Sequence, residues 1–270
     1  MKRVIAFLLI LPLLPVCSVA AEVEGTVELP VLMYHRLLKN NPQGDMYTIT
    51  PAALERDLKF LRAEGYASVT TEQVIGYLTR GEKLPEKPVL LTFDDGHYST
   101  LTYAVPLLER YGFRASVFVT GVFSDSEAGA PQSPQYSYIS WAQMENLAPC
   151  LQIESHTWNL HVCGKGRNGI KRRKGENLED YRMLLAADLL KLQGKIEQHT
   201  GRAPIAFALP FGADCADALS VFDAVGIPLS FGSYGGINRL TVGGKRHDLK
   251  RMCRVPDESA QFLLDKYANK

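Results

Sequence analysis

Three apolar runs of strand length in this chain each stop at a compact group of polar or turn-forming residues. Pro88-Val89-Leu90-Leu91 runs into Thr92-Phe93-Asp94-Asp95-Gly96. Leu151-Gln152-Ile153-Glu154 runs into Ser155-His156-Thr157-Trp158-Asn159-Leu160-His161. The strand-like segment 204–209 runs into Pro210-Phe211-Gly212. Segments with apolar residues at helical spacing alternate with such runs, as Leu101, Val105 and Leu108 do after the first. Repeated strand-then-helix units predict a parallel sheet, and about seven or eight of them predict a barrel. A chain of 270 residues accommodates one such barrel. In a parallel α/β barrel every strand ends on one face, so three motifs distant in sequence are expected to meet there.

The remaining elements follow the same rhythm. Strands are predicted at 30–34, 88–93, 114–119, 151–154, 204–209 and 227–231, with a last one near 249–254. Thr50 followed by Pro51, with Leu54, Leu58 and Leu61 on one face, predicts a capped helix. Further helices are expected over 100–111, 178–200 and 214–225, and Ser140-Trp141-Ala142-Gln143 reads as a capping box. No internal repeat or long linker interrupts the pattern.

The N-terminus reads differently. Lys2 and Arg3 precede an apolar run from Val4 to Val16 and then Ser18-Val19-Ala20-Ala21, the layout of a secretory signal peptide over residues 1–21. The run contains Pro12 and Pro15 and is shorter than a spanning helix needs. The expectation is a secreted or envelope-associated catalytic domain over 22–270. Removing the two basic residues of the leader takes the formal charge from +1 to −1, which gives no global electrostatic reason to bind nucleic acid. No obligate protein partner is implied. Cys150, Cys163, Cys215 and Cys253 would remain, an even number that permits disulfides without fixing connectivity. Cys150 and Cys163 flank one predicted strand and so are not expected to pair with each other.

The residue types at the strand ends point to metal-assisted hydrolysis. Asp95, His156 and His161 offer one oxygen and two nitrogens to a divalent ion, and three protein ligands leave a position open for water. Zinc, cobalt and nickel all suit that donor set. Asp94 then stays free to act as the general base. A backbone N–H near Phe211 is positioned by sequence to stabilise an oxyanion. A general acid must protonate the leaving group. His35 ends the first predicted strand and is favoured for its location, with His97 and His247 as rivals. Trp158, between the two histidines, is the candidate for stacking on a sugar ring, and Trp141 is assigned to core packing. The basic stretch Lys165 to Lys174 reads first as a solvated loop, and second as an entrance for an anionic polymer.

These motifs resemble those of the polysaccharide deacetylases, the NodB-homology enzymes of carbohydrate esterase family four. The likeness runs from about residue 28 to 256, and Tyr34-His35 with the five-residue histidine spacing is most similar to the poly-N-acetylglucosamine deacetylase branch. The resemblance implies a distorted (β/α) barrel of about seven strands that removes N-acetyl groups from an N-acetylglucosamine polymer such as peptidoglycan, a biofilm polysaccharide or chitin. It implies a metal, usually zinc, held by Asp95, His156 and His161, with Asp94 as base and His35 as substitute acid. Two departures stand out. The arginine that precedes Pro-aromatic-Gly in many members is replaced by Ala208 or Leu209, with Arg239, Arg251 and Arg254 as possible substitutes. The late Leu-X-His motif is absent, Leu249-Lys250-Arg251-Met252 standing in its region. These departures motivate two alternatives: a carbohydrate-binding protein with decayed catalysis, or an amidase acting on a small substrate.

Overall fold

The strand sequences are apolar on both faces, which is the demand of a parallel sheet covered by helices outside and filled by side chains inside. Every residue of Pro88–Phe93 is buried. In the computed structural model, which describes residues 25–40, 44–164, 166–213 and 216–268, seven parallel strands answer that demand. They are β1 (Val31–Tyr34), β2 (Pro88–Phe93), β3 (Ala115–Val119), β4 (Leu151–Ser155), β5 (Ala206–Ala208), β6 (Leu229–Phe231) and β7 (Met252–Cys253). Their order is β6-β5-β4-β3-β2-β1-β7, and every neighbouring pair is parallel. The segment entering β7 touches both edges of the sheet. Leu249 bridges to Phe231 of β6, and Met252 pairs with Leu32 of β1. The sheet therefore curls into the expected distorted (β/α) barrel.

Period two decides what faces where. Val31, Leu90, Phe118, Ala206, Ala208, Leu229 and Phe231 form one buried cluster inside the curl. Their chain neighbours Leu32, Leu91, Val117 and Val119 belong to another, under the helices α1 (Pro51–Ala63), α3 (Val105–Tyr111) and α6 (Ala260–Ala268). Phe207 packs beneath α4 (Leu178–Thr200) and α5 (Leu219–Ala224). Burying one such side chain contributes about 1.5–3 kcal/mol. The helix α2 (Thr71–Arg80) sends Val74, Tyr77 and Leu78 into the interior cluster at the end where the strands begin.

Local sequence explains the helix ends. Thr50 caps α1 by accepting the Ala53 N–H at 3.1 Å, with Pro51 at the first position, where its missing N–H costs nothing. The capping boxes of Thr70 with Gln73 and of Ser140 with Gln143 both form. The helix expected over 100–111 begins instead as a π-turn, Thr100–Ala104, before becoming α3. Pro106 has no N–H to give to Thr102, so the chain widens there and the Val105 N–H reaches Thr100 O. The helix expected over 214–225 is a 3₁₀ turn at Ala216–Ala218 followed by α5, with residues 214–215 outside the described set. The leader reading of residues 1–21 also lies outside the described residues, and no described helix is long and apolar enough to cross a membrane. Cys150, Cys163 and Cys253 carry free thiols, and Cys215 is outside the described residues.

Candidate active site

The inward parity of β1, β2 and β4 extends one step beyond each strand. Val31 and Met33 lead to His35, Leu90 and Thr92 lead to Asp94, and Gln152 and Glu154 lead to His156. The residues that follow complete the site through strained turns. Asp95 sits at φ 68°, Gly96 at φ 73° and Thr157 at φ 81°. A side chain on Gly96 would meet Val119 Cγ1 at 2.9 Å, so the turn is closed to larger residues. Strain of this kind, about 1–3 kcal/mol per non-glycine residue, collects where geometry serves a site.

Asp95, His156 and His161 converge, their ligating atoms all within 4.8 Å of one another. Oδ1 of Asp95 lies 3.5 Å from His156 Nε2 and 3.2 Å from His161 Nε2. Ligands about 2.0–2.1 Å from a tetrahedral ion are roughly 3.3 Å apart, so this donor set fits zinc or a similar divalent cation. His156 places its Nδ1 2.7 Å from Ala208 O, a contact that leaves Nε2 as the ligating nitrogen. Burial pushes His156 down to about 4, so its ring is neutral, as a ligand must be. Burial also acts to lower His161, but the Asp95 carboxylate outweighs it and raises the group. Burial alone would raise Asp95, yet His161 and His97 hold it well below the ordinary carboxylate range.

Asp94 is only 3% exposed and is gripped by Arg251, which sequence reasoning could not single out. Arg251 Nη1 donates to Oδ1 at 2.6 Å and Nη2 to Oδ2 at 2.8 Å, a two-pronged contact. The guanidinium is fully buried, donates through Nε to Gly232 O at 2.8 Å and lies over the Phe118 ring at 5.7 Å. Burial tends to raise the Asp94 carboxyl, but Arg251 and the surrounding histidines outweigh it and hold the group below its usual value. The other two arginines are engaged elsewhere. Arg254 donates to Asp57 at 2.7 Å, and Arg239 pairs with Glu28 on the surface at 3.3 Å.

His35 lies near both aspartates. Burial lowers its pKa, and Asp94 and Asp95 oppose that shift in part. Its Nδ1 is buried without a hydrogen-bonding partner, and its ring rests on Tyr47 at 4.7 Å. The rival His247 is removed from the site: it faces Ser230 Oγ at 3.2 Å and packs on Phe222. The rival His97 is brought in, but beside Asp95, with its Nε2 3.5 Å from Oδ2.

Pro210-Phe211-Gly212 forms a 3₁₀ turn directly after β5. Phe211 takes φ 59°, is 48% exposed and lays its ring against His161 at 4.5 Å. The Gly212 N–H is spent on Leu209 O and that of Ala213 on Pro210 O. Gly212 is required because a Cβ there would fall 1.8 Å from Ser233 Oγ.

Trp158 corrects the sequence reading. It is 7% exposed, Trp141 stacks parallel to it, and Lys191 Nζ sits 3.9 Å from its ring centre. Gly121 packs so closely that a Cβ there would lie 2.3 Å from the Trp158 ring. Its ring is closed to a sugar. The Asp188 carboxylate fixes this turn by accepting the Trp158 and Asn159 N–H groups at 2.7 and 2.8 Å. The basic stretch is partly structural: Arg167 pairs with Glu176 and Arg172 with Asp217, while Lys171, Arg173 and Lys174 are exposed. Gly169 packs this stretch against Pro210 at the rim of the site.

A family model described as polysaccharide deacetylase matches residues 81–229, more than half the chain. The chain belongs to the polysaccharide deacetylase family. It is 26% identical over 228 residues to the poly-beta-1,6-N-acetyl-D-glucosamine N-deacetylase of Escherichia coli, covering 76% of this chain and 34% of that protein. It thus spans about a third of that relative's length. The enzyme of the same name from Staphylococcus epidermidis is 24% identical over 214 residues, covering 74% of this chain and 70% of that one. Among solved structures, IcaB from Ammonifex degensii superposes with a TM-score of 0.71 at 26% identity, covering 87% of this chain and 97% of that one. Streptococcus pyogenes PplD in complex with acetate gives a TM-score of 0.72 at 20% identity, covering 89% and 98%, a likeness of fold.

Proposed function

We propose that this polysaccharide deacetylase hydrolyses N-acetyl groups from an N-acetylglucosamine polymer, with Asp94 as general base. The observation that carries the reading is the Asp94–Arg251 pair set beside a three-ligand group at the C-terminal face of the barrel. Asp95, His156 and His161 would hold one divalent ion, zinc in the first instance. Bound there, such an ion supplies Lewis acidity toward a water and toward the acetamide carbonyl.

The chain's own residues do the rest. Arg251 occupies one lone pair on each Asp94 oxygen and keeps the carboxylate ionised, so a second lone pair remains to accept the proton of the attacking water. The Phe211 N–H donates to the oxygen that becomes negative as the carbonyl carbon turns tetrahedral. His35 would take up a proton and then pass it to the departing nitrogen, which leaves as the amine while acetate is released. Phe211, exposed at the rim, offers an apolar face to the sugar beside the reacting acetamide. Arg251 also removes half of the motive for a decayed carbohydrate-binding protein, since the orienting arginine is supplied from another part of the chain. The polymer's position outside the cell fits the leader-like residues 1–21, and cleaved export is part of the proposal.

The test compares acetate release from N-acetylglucosamine pentamer and monomer by the native chain and by Asp94→Asn, with bound metal quantified in each. The expected outcome is a preference for the pentamer and a fall of at least about 10³-fold in the variant with metal content retained. Near-normal release by Asp94→Asn would sink the mechanism, and equal rates on monomer and pentamer would sink the polymer substrate.

A further inference from the structure

His97 is conspicuous because the reaction above does not use it, and yet it touches the ligand Asp95. The two oxygens of Asp95 are held from opposite sides. Oδ1 faces His156 and His161, and Oδ2 faces Nε2 of His97 at 3.5 Å. The three-ligand group closes without His97. Its side chain is 13% exposed, so water has little access to the contact.

The backbone brings this about. Asp95 and Gly96 both take left-handed conformations, at φ 68° and 73°, and reverse the chain so that the next side chain lies beside Asp95. The reversed segment is then pinned. His97 bridges to Tyr138, Ile139 N donates to Gly96 O at 2.8 Å, and Tyr98 N donates to Ser137 O at 2.9 Å. The rings are pinned as well. Tyr138 is stacked between His97, at 5.0 Å, and Phe123, at 4.4 Å. Phe123 meets His161 edge-on at 5.7 Å. A continuous chain of ring contacts therefore joins the histidine on Oδ2 to a histidine on Oδ1.

From this geometry we infer that His97 is a positioning residue: it holds Oδ2 of Asp95 away from the metal, so that the carboxylate ligates through Oδ1 alone. The inference rests on the metal reading of Asp95, His156 and His161. A carboxylate free to rotate can offer both oxygens, raising the coordination number and filling the position that water needs. Partners of this outer kind typically change metal affinity by about 10–100-fold when removed.

The test titrates the metal-free full-length chain with cobalt(II) and follows the visible d–d bands, whose intensity falls as coordination rises above four. Wild type is expected to give intense four-coordinate bands. His97→Leu is expected to bind about 10–100-fold more weakly with fainter bands. His97→Gln, which keeps an N–H of similar reach, should restore most of both, and His97→Asn, which is too short, should not. A His97→Leu chain with an unchanged melting temperature, wild-type affinity and wild-type bands overturns the clamp. If His97→Leu fails to fold, the Gln and Asn variants decide: both matching wild type also overturns it. Wild type that takes up no cobalt overturns the metal reading itself, an outcome separate from a bound metal that ignores His97.

Discussion

Two buried arginine–carboxylate pairs are made by arginines three residues apart in the chain and differ in what surrounds each carboxylate. Arg251 grips Asp94 through both guanidinium nitrogens, and Arg254 donates to Asp57 at 2.7 Å. Both arginines are 2% exposed or less. The chain around β7 is extended, so residues an odd number apart point to opposite faces. Arg251 therefore enters the barrel, and Arg254 faces the outer layer. Asp57 is saturated by structure: Arg254, the Tyr34 hydroxyl at 3.3 Å and the Ala260 N–H at 3.0 Å join α1, β1 and α6 at one carboxylate. Asp94 has its arginine and then the histidines of the site. A buried ion pair thus carries no functional label; what its carboxylate has left over decides its role.

The comparison predicts that turnover, not stability, separates the two pairs. Arg254→Met leaves Asp57 buried without its cation and should cost about 3–5 kcal/mol of stability by denaturant titration. Acetate release per folded molecule should hold near the native rate. Arg251→Met strands Asp94 in the same way and should also cost stability, but it should in addition lower acetate release per folded molecule by about 10²-fold. The comparison breaks if Arg254→Met impairs turnover per folded molecule as severely as Arg251→Met does.

A finer cut uses the conservative change. Arg251→Lys keeps the charge but loses the planar fork that fixes both oxygens of Asp94. Acetate release should fall by about 10-fold, less than for Arg251→Met, because the carboxylate stays ionised but is free to rotate. Rates equal to the native chain would mean that Arg251 acts through charge alone and does not orient the base.

The positions of these arginines explain what the sequence could and could not reveal. The strands from Val31–Tyr34 to Leu229–Phe231 were legible as apolar runs, and Asp94, Asp95 and His156 were legible because each follows such a run. Arg251 was not, since its place beside Asp94 depends on Met252 pairing with Leu32, a register no local pattern encodes. Trp158 was misread because residue type says nothing about what covers a ring; here Trp141, Lys191 and Gly121 do. The helix Thr71–Arg80 did carry a signal, the Thr70 and Gln73 capping box, and could have been read from it. The pairing of Val27–Leu29 with Asn238–Leu240 carried none, being three residues against three across most of the chain.

A third pair, at the rim, gives the smallest effect and tests the same principle where water competes. Arg36 meets Asp45 at 2.9 Å with the two side chains 22% and 31% exposed. Asp45 also accepts the Tyr47 N–H at 3.0 Å and the Thr48 hydroxyl at 2.7 Å. Tyr47 in turn rests on His35, so this loop backs the proposed acid. Partial burial pushes the Asp45 carboxyl up, but Tyr47, Thr48 and Arg36 outweigh it and bring it below the ordinary value. A carboxyl lowered on folding stabilises the fold above its unfolded pKa, and that contribution is lost as pH falls through the folded value. An exposed pair of this kind contributes only about 0.2–1 kcal/mol, so Asp45→Asn should leave the melting temperature nearly unchanged. Hydrogen exchange is the more sensitive readout. The Tyr47 and Thr48 amides of the native chain should stay protected across the ordinary carboxylate range and lose protection, relative to core amides, only at a lower pH, where the Asp45 carboxylate takes up its proton. In Asp45→Asn the protection should be weaker and independent of pH across that window. Native protection that persists unchanged once the Asp45 carboxylate is protonated would show that the loop is held by packing and not by its carboxylate.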